Sequence, residues 1–69
     1  MENKQEILNQ LTSVLQQTDF CADLESMELT PSQEWVIIKW KHGSNYRANV
    51  SCDSGIQMIQ DVISRIRKK

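Results

Sequence analysis

The chain is expected to fold as one α+β domain over residues 1–69, ordered α-β-β-β-α, with a three-stranded antiparallel sheet and both helices on one face. Three observations carry this expectation. Apolar residues recur at helical spacing near both ends, and the middle holds segments that read as strands. Turn-forming residues punctuate that middle at 30–33 and 42–45. The length allows a single domain, and a chain this short buries only about 60% of its unfolded surface, so its stability margin is thin.

Asn3 and Glu6 have the spacing of a capping box, with Asn in place of the usual hydroxyl residue. Ile7, Leu8, Leu11, Val14 and Leu15 then form one apolar stripe, opposite Gln5, Asn9, Gln10, Ser13 and Gln16. The spacing predicts a helix over 3–17. Phe20, Cys21 and Ala22 follow as an apolar connection expected to tuck under the sheet.

An edge strand is expected over 24–30, with Glu25, Met27 and Leu29 on one side and Leu24, Ser26 and Glu28 on the other. Thr30-Pro31-Ser32-Gln33 closes it, with proline at the second turn position. Trp35 to Lys41 is the strongest strand, rich in β-branched and aromatic residues. Val36, Ile38 and Trp40 share one face, and Trp35, Ile37, Lys39 and Lys41 the other. Tyr46 to Cys52 alternates cleanly, with Tyr46, Ala48, Val50 and Cys52 against Arg47, Asn49 and Ser51.

The loop between these two strands decides which face is the core. A two-residue Gly43-Ser44 turn pairs His42 with Asn45, sets Ile37 opposite Val50 and puts lysines at the end of the core face. A three-residue loop places Trp40 near Tyr46 and Ile38 near Ala48. It buries three apolar residues without a lysine, so it is the expected form. Ser54 and Gln57 then form a regular capping box ahead of the second helix. Its stripe is Ile56, Ile59, Val62, Ile63 and Ile66, with Met58 at the margin and Arg65, Arg67, Lys68 and Lys69 at the C-terminal end.

Residues 1–34 carry a net charge of −6 and residues 35–69 one of +5, a dipolar distribution within an overall −1. The polar start Glu2-Asn3-Lys4-Gln5-Glu6 does not read as a signal peptide, and Trp35-Val36-Ile37-Ile38 is far short of the roughly 20 apolar residues that span a bilayer. A soluble, cytoplasmic protein without membrane contact is therefore expected. Cys21 and Cys52 are too few for a disulfide framework and read as free thiols, a single bridge between them being the lesser alternative.

No catalytic machinery is recognisable. His42, the sole histidine, sits at a hairpin tip, where a solvated side chain is the default. Cys21, Cys52 and His42 lack metal-ligand spacing, and Gly43 and Gly55 do not make a phosphate-binding loop. The chain is expected not to be an enzyme and to need no cofactor, metal or small-molecule substrate.

The element order is similar to that of double-stranded-RNA-binding domains, over nearly the whole length. That family grips phosphates through a lysine-rich start of its last helix. Here the corresponding stretch is Asp53-Ser54-Gly55-Ile56-Gln57, with the bases Arg65, Arg67, Lys68 and Lys69 at the opposite end. An acidic first helix also opposes a phosphate backbone. RNA binding is kept as an alternative, and a nucleic-acid partner is disfavoured. The stretch Tyr46-Arg47-Ala48-Asn49-Val50-Ser51-Cys52-Asp53-Ser54-Gly55-Ile56-Gln57-Met58-Ile59 resembles segments of small uncharacterised proteins of Gram-positive phages and conjugative elements. The resemblance implies a setting rather than an activity. Some accessory proteins there, anti-CRISPR inhibitors among them, block a host protein.

The sequence thus reads as a non-enzymatic protein-interaction module, an accessory protein of a mobile element by its resemblance. The contact surface is expected on the sheet face left without helices, around Trp35, Ile37, Lys39 and Met27. A protein partner or a self-dimer is the expected occupant.

Overall fold

The computed structural model describes residues 3–51 and 54–67. It contains α1 (Lys4–Leu15), β1 (Leu24–Leu29), β2 (Trp35–Trp40), β3 (Asn45–Asn49) and α2 (Gly55–Arg67), with the strands in one antiparallel sheet ordered β1-β2-β3. The expected α-β-β-β-α order and open sheet are therefore what the chain adopts.

Both helices begin where their caps place them. Asn3 accepts the Glu6 amide on its side-chain oxygen at 3.0 Å, and Ser54 Oγ accepts the Gln57 amide at 3.2 Å. The end of α1 tightens into short turns, Gln17 N–H reaching the Val14 carbonyl and Thr18 N–H the Leu15 carbonyl. Leu8 and Thr12 are the buried residues of α1, and Thr12 satisfies its hydroxyl by donating to the Leu8 carbonyl at 2.8 Å. Ile7, Leu11 and Leu15 pack beside them. Val14 lies about 120° around the helix from Leu8 and stays 58% exposed, so it leaves the expected stripe. In α2 the contact line runs through Gly55, Met58, Val62 and Ile66. Met58 is fully buried rather than marginal, and Ile56 is 71% exposed rather than part of the stripe. The connection after α1 is also reversed in part, because Cys21 is buried while Phe20 is exposed.

The β2–β3 loop is Lys41-His42-Gly43. Trp40 N–H donates to the Ser44 carbonyl and Gly43 N–H to the Trp40 carbonyl, both at 3.0 Å, which is the bonding of a three-residue hairpin loop. Such a loop needs positive φ at its last residue, and Gly43 sits there with φ 101°. The loop is odd, as expected, but it begins one residue earlier than the expected pairing of Trp40 with Tyr46 requires. The partners are consequently displaced by two residues: Ile38 pairs with Tyr46 and Val36 with Ala48. A shift of two keeps every side chain on its expected face. Trp40 still meets Tyr46 diagonally, with ring centroids 5.7 Å apart.

The core face collects Leu24, Met27, Val36, Ile38, Trp40, Ala48 and Val50 under Leu8 of α1 and Met58, Val62 and Ile66 of α2. Leu24 joins it because the β1–β2 register slips between Leu24 and Ser26, a bulge that returns Leu24 to the side of Met27. The strict alternation expected for this strand placed Leu24 opposite. The turn Thr30-Pro31-Ser32-Gln33 forms as expected, Gln33 N–H donating to the Thr30 carbonyl at 2.8 Å.

Ile38 is fully buried at the middle of this core, whereas Ile37 lies on the opposite face. Replacement of Ile38 by Ala is expected to cost about 2–5 kcal/mol in urea unfolding, and Ile37→Ala far less. Equal losses, or an unchanged Ile38→Ala transition, would contradict this assignment of faces.

Candidate protein-contact face

The face of the sheet away from the helices is built row by row from the register. Glu28, Ile37 and Arg47 form one row across the three strands, Ser26, Lys39 and Asn45 a second, and Trp35 with Asn49 a third. Cross-strand partners share a face, so Trp35, Ile37 and Lys39 are brought together as the sequence indicated. Met27 is not among them. It is 1% exposed on the core face, because it pairs with Ile38 and not with Ile37.

Two contacts organise this face. Lys39 Nζ lies 2.6 Å from Glu28 Oε2. The hydrogen bond and charge of Glu28, with the Glu25 charge adding, hold the Lys39 ammonium above its usual pKa range. Arg47 places its guanidinium 5.4 Å from the centroid of the Trp35 ring. The ring is only partly covered, and Trp35 keeps 36% of its surface exposed. A shallow hollow lined by Glu28, Leu29, Thr30, Pro31 and Ile37 borders the face at the β1 side. Chemically, the face offers an aromatic and an aliphatic surface framed by one acidic flank and two cations.

The two edges of the sheet are treated differently. Gln5 of α1 donates from Nε2 to the Met27 carbonyl at 3.1 Å and accepts the Leu29 amide on Oε1 at 2.9 Å. Gln16 donates to the Leu24 carbonyl at 2.8 Å. These side-chain amides occupy positions that a neighbouring strand would take, and so close the β1 edge. Neither glutamine stands out in the sequence, where both read simply as the wet side of α1. On β3, the ladder bonds at Ser44 and Val50 leave the backbone groups of Asn45, Arg47 and Asn49 facing outward by alternation.

The remaining candidates lie elsewhere. Arg65 is held 4.5 Å over the Tyr46 ring and Arg67 is exposed in the last turn of α2, while Lys68 and Lys69 lie outside the described residues. His42 is not merely solvated: its Nδ1 lies 2.8 Å from Asp23 Oδ2, and its ring stacks on Trp40, tying the loop tip to the start of β1. Cys21 is a buried thiol, and Cys52, with the bridge considered for it, lies outside the described residues. Among the described residues no three histidine, cysteine or carboxylate side chains converge as a metal site, and no helix is long and apolar enough to cross a membrane. No family model, curated protein or solved structure matches the chain.

Gln5→Ala is expected to speed hydrogen exchange at the Leu29 amide and to cost about 1–2 kcal/mol, since it strands a backbone donor and acceptor. Unchanged exchange at Leu29 would contradict the sealing role.

Proposed function

We propose that the protein is a non-enzymatic interaction module that docks a protein surface on the open face of its sheet, around Trp35, Ile37 and Lys39. The supporting observation is the uncovered face itself: both helices are spent on the opposite side, and a tryptophan 36% exposed stands beside Ile37 with no element among the described residues above them. Tryptophan and arginine together are the residue types that most often anchor protein contacts, and here Arg47 already lies against Trp35. Apolar surface that a small domain leaves uncovered is a thermodynamic cost in water, which a partner recovers on binding. An accessory role on a mobile element rests on the resemblance carried by residues 46–59 alone. The RNA-binding reading rests on Arg65, which lies over Tyr46, and on the exposed Arg67, with Lys68 and Lys69 outside the described residues, and no observation favours it over a protein contact.

A photo-crosslinking residue at Asn49, the cross-strand neighbour of Trp35, reads this out against the same residue at Asn9 on the exposed side of α1. In cells that produce the protein natively, position 49 is expected to yield protein adducts that position 9 does not, and Trp35→Ala should remove them. Adducts absent from position 49, equal at both positions, or indifferent to Trp35→Ala would overturn the proposal.

A further inference from the structure

The open face carries its charges in an order that is complementary to itself. Across the central row the sequence is acid, aliphatic, base: Glu28 on β1, Ile37 on β2 and Arg47 on β3. Two such faces can stack about a two-fold axis lying between them in one of two simple ways. With the axis across the strands, β1 lies over β1, so Glu28 meets Glu28 and Arg47 meets Arg47. With the axis along β2, β1 of one copy lies over β3 of the other, so each Glu28 meets an Arg47 while Ile37 and Trp35 meet their own counterparts. Only the second arrangement pairs opposite charges, and it does so twice, because a two-fold contact is self-complementary. Lys39, which this axis sets beside its own copy, is already neutralised by Glu28 at 2.6 Å. Over Glu25, Glu28, Lys39 and Arg47 the acids and bases are equal in number.

From this order we infer that the occupant of the open face is a second copy of the chain, stacked sheet to sheet about a two-fold axis parallel to β2. The inference rests on the open face being a contact surface and adds the identity and orientation of the partner. Its strength is bounded by geometry. Three strands of five or six residues give a footprint of roughly 14 × 20 Å per copy, well below the size of a standard specific interface, so the contact is a weak one. The dimer is therefore reversible and concentration-dependent.

Charge reversal tests the pairing. Light scattering on a sizing column, over a wide dilution series, is expected to show wild type rising from the 8.0 kDa monomer towards twice that mass. Glu28→Lys and Arg47→Glu should each stay monomeric where wild type associates. An equimolar mixture of the two should form a heterodimer, since one copy then carries two bases and its partner two acids. The double variant restores the opposite-charge row in reverse but leaves Lys39 without Glu28, so it should associate more strongly than either single variant and less than wild type. Circular dichroism melts confirm that each variant is folded, and the mixture guards against a variant that is monomeric merely because it is damaged. A wild type that remains monomeric at every concentration, or single variants that associate like wild type, would overturn the inference. Recovery absent from both the mixture and the double variant would do the same. If position 49 then crosslinks a different protein in a Trp35-dependent way, the contact face survives and only the self-partner fails.

Discussion

The three-residue loop Lys41-His42-Gly43 is the constraint on which the rest of this structure depends, because the parity of that loop decides which half of β2 faces the helices. An odd loop sends Val36, Ile38 and Trp40 inward and leaves Trp35, Ile37 and Lys39 outside. An even loop would exchange the two sets and bring Lys39 into the core, where an unpaired ammonium is costly. Gly43 supplies the positive φ that this loop needs, and His42 is fastened by Asp23 and Trp40, so the hairpin tip is held from both sides. The core and the candidate contact face are thus two consequences of one turn.

A domain of this size has few means of protecting a sheet. It spends both helices on one face, and from α1 it sends Gln5 and Gln16 to close the β1 edge. Among the described residues, the sheet surfaces left unshielded are the β3 edge and the face bearing Trp35. Its charges are not scattered: the salt bridge between Lys39 and Glu28 and the stacking of Arg47 on Trp35 order them from acidic to basic across the strands. That order suits a copy of itself in one orientation and opposes the other, which is how electrostatics specify a partner more than they strengthen it.

Much of this architecture is legible in the sequence because its signals are local. Asn3 and Ser54 announce the helix starts, Pro31 the first turn, and the lysine-free alternation of Val36, Ile38 and Trp40 the core face. What sequence reading misses depends on geometry that no local pattern encodes. The bulge that turns Leu24 inward is a mismatch between two strands, and the two-residue displacement of the hairpin follows from where glycine must sit in its loop. The apolar stripe of α2 centres on Met58 rather than Ile59 because tertiary contact, not composition, chooses among neighbouring apolar positions. For the site, Trp35, Ile37 and Lys39 are readable from alternation alone. Met27 is misplaced by the register of β1, and the glutamine seal is invisible because Gln5 and Gln16 look like ordinary solvated residues.

The register of the β2–β3 hairpin underlies every later step, and nuclear Overhauser contacts between Hα protons measure it directly. Residues that face each other without exchanging ladder bonds bring their Cα atoms to about 4.5 Å, close enough for a strong Hα–Hα signal. A three-residue loop gives that signal between Ile37 and Arg47 and between Trp35 and Asn49. Contacts that instead join Ile37 to Val50 would mean an even loop, and would place Trp35 and Ile37 in the core and dissolve the contact face.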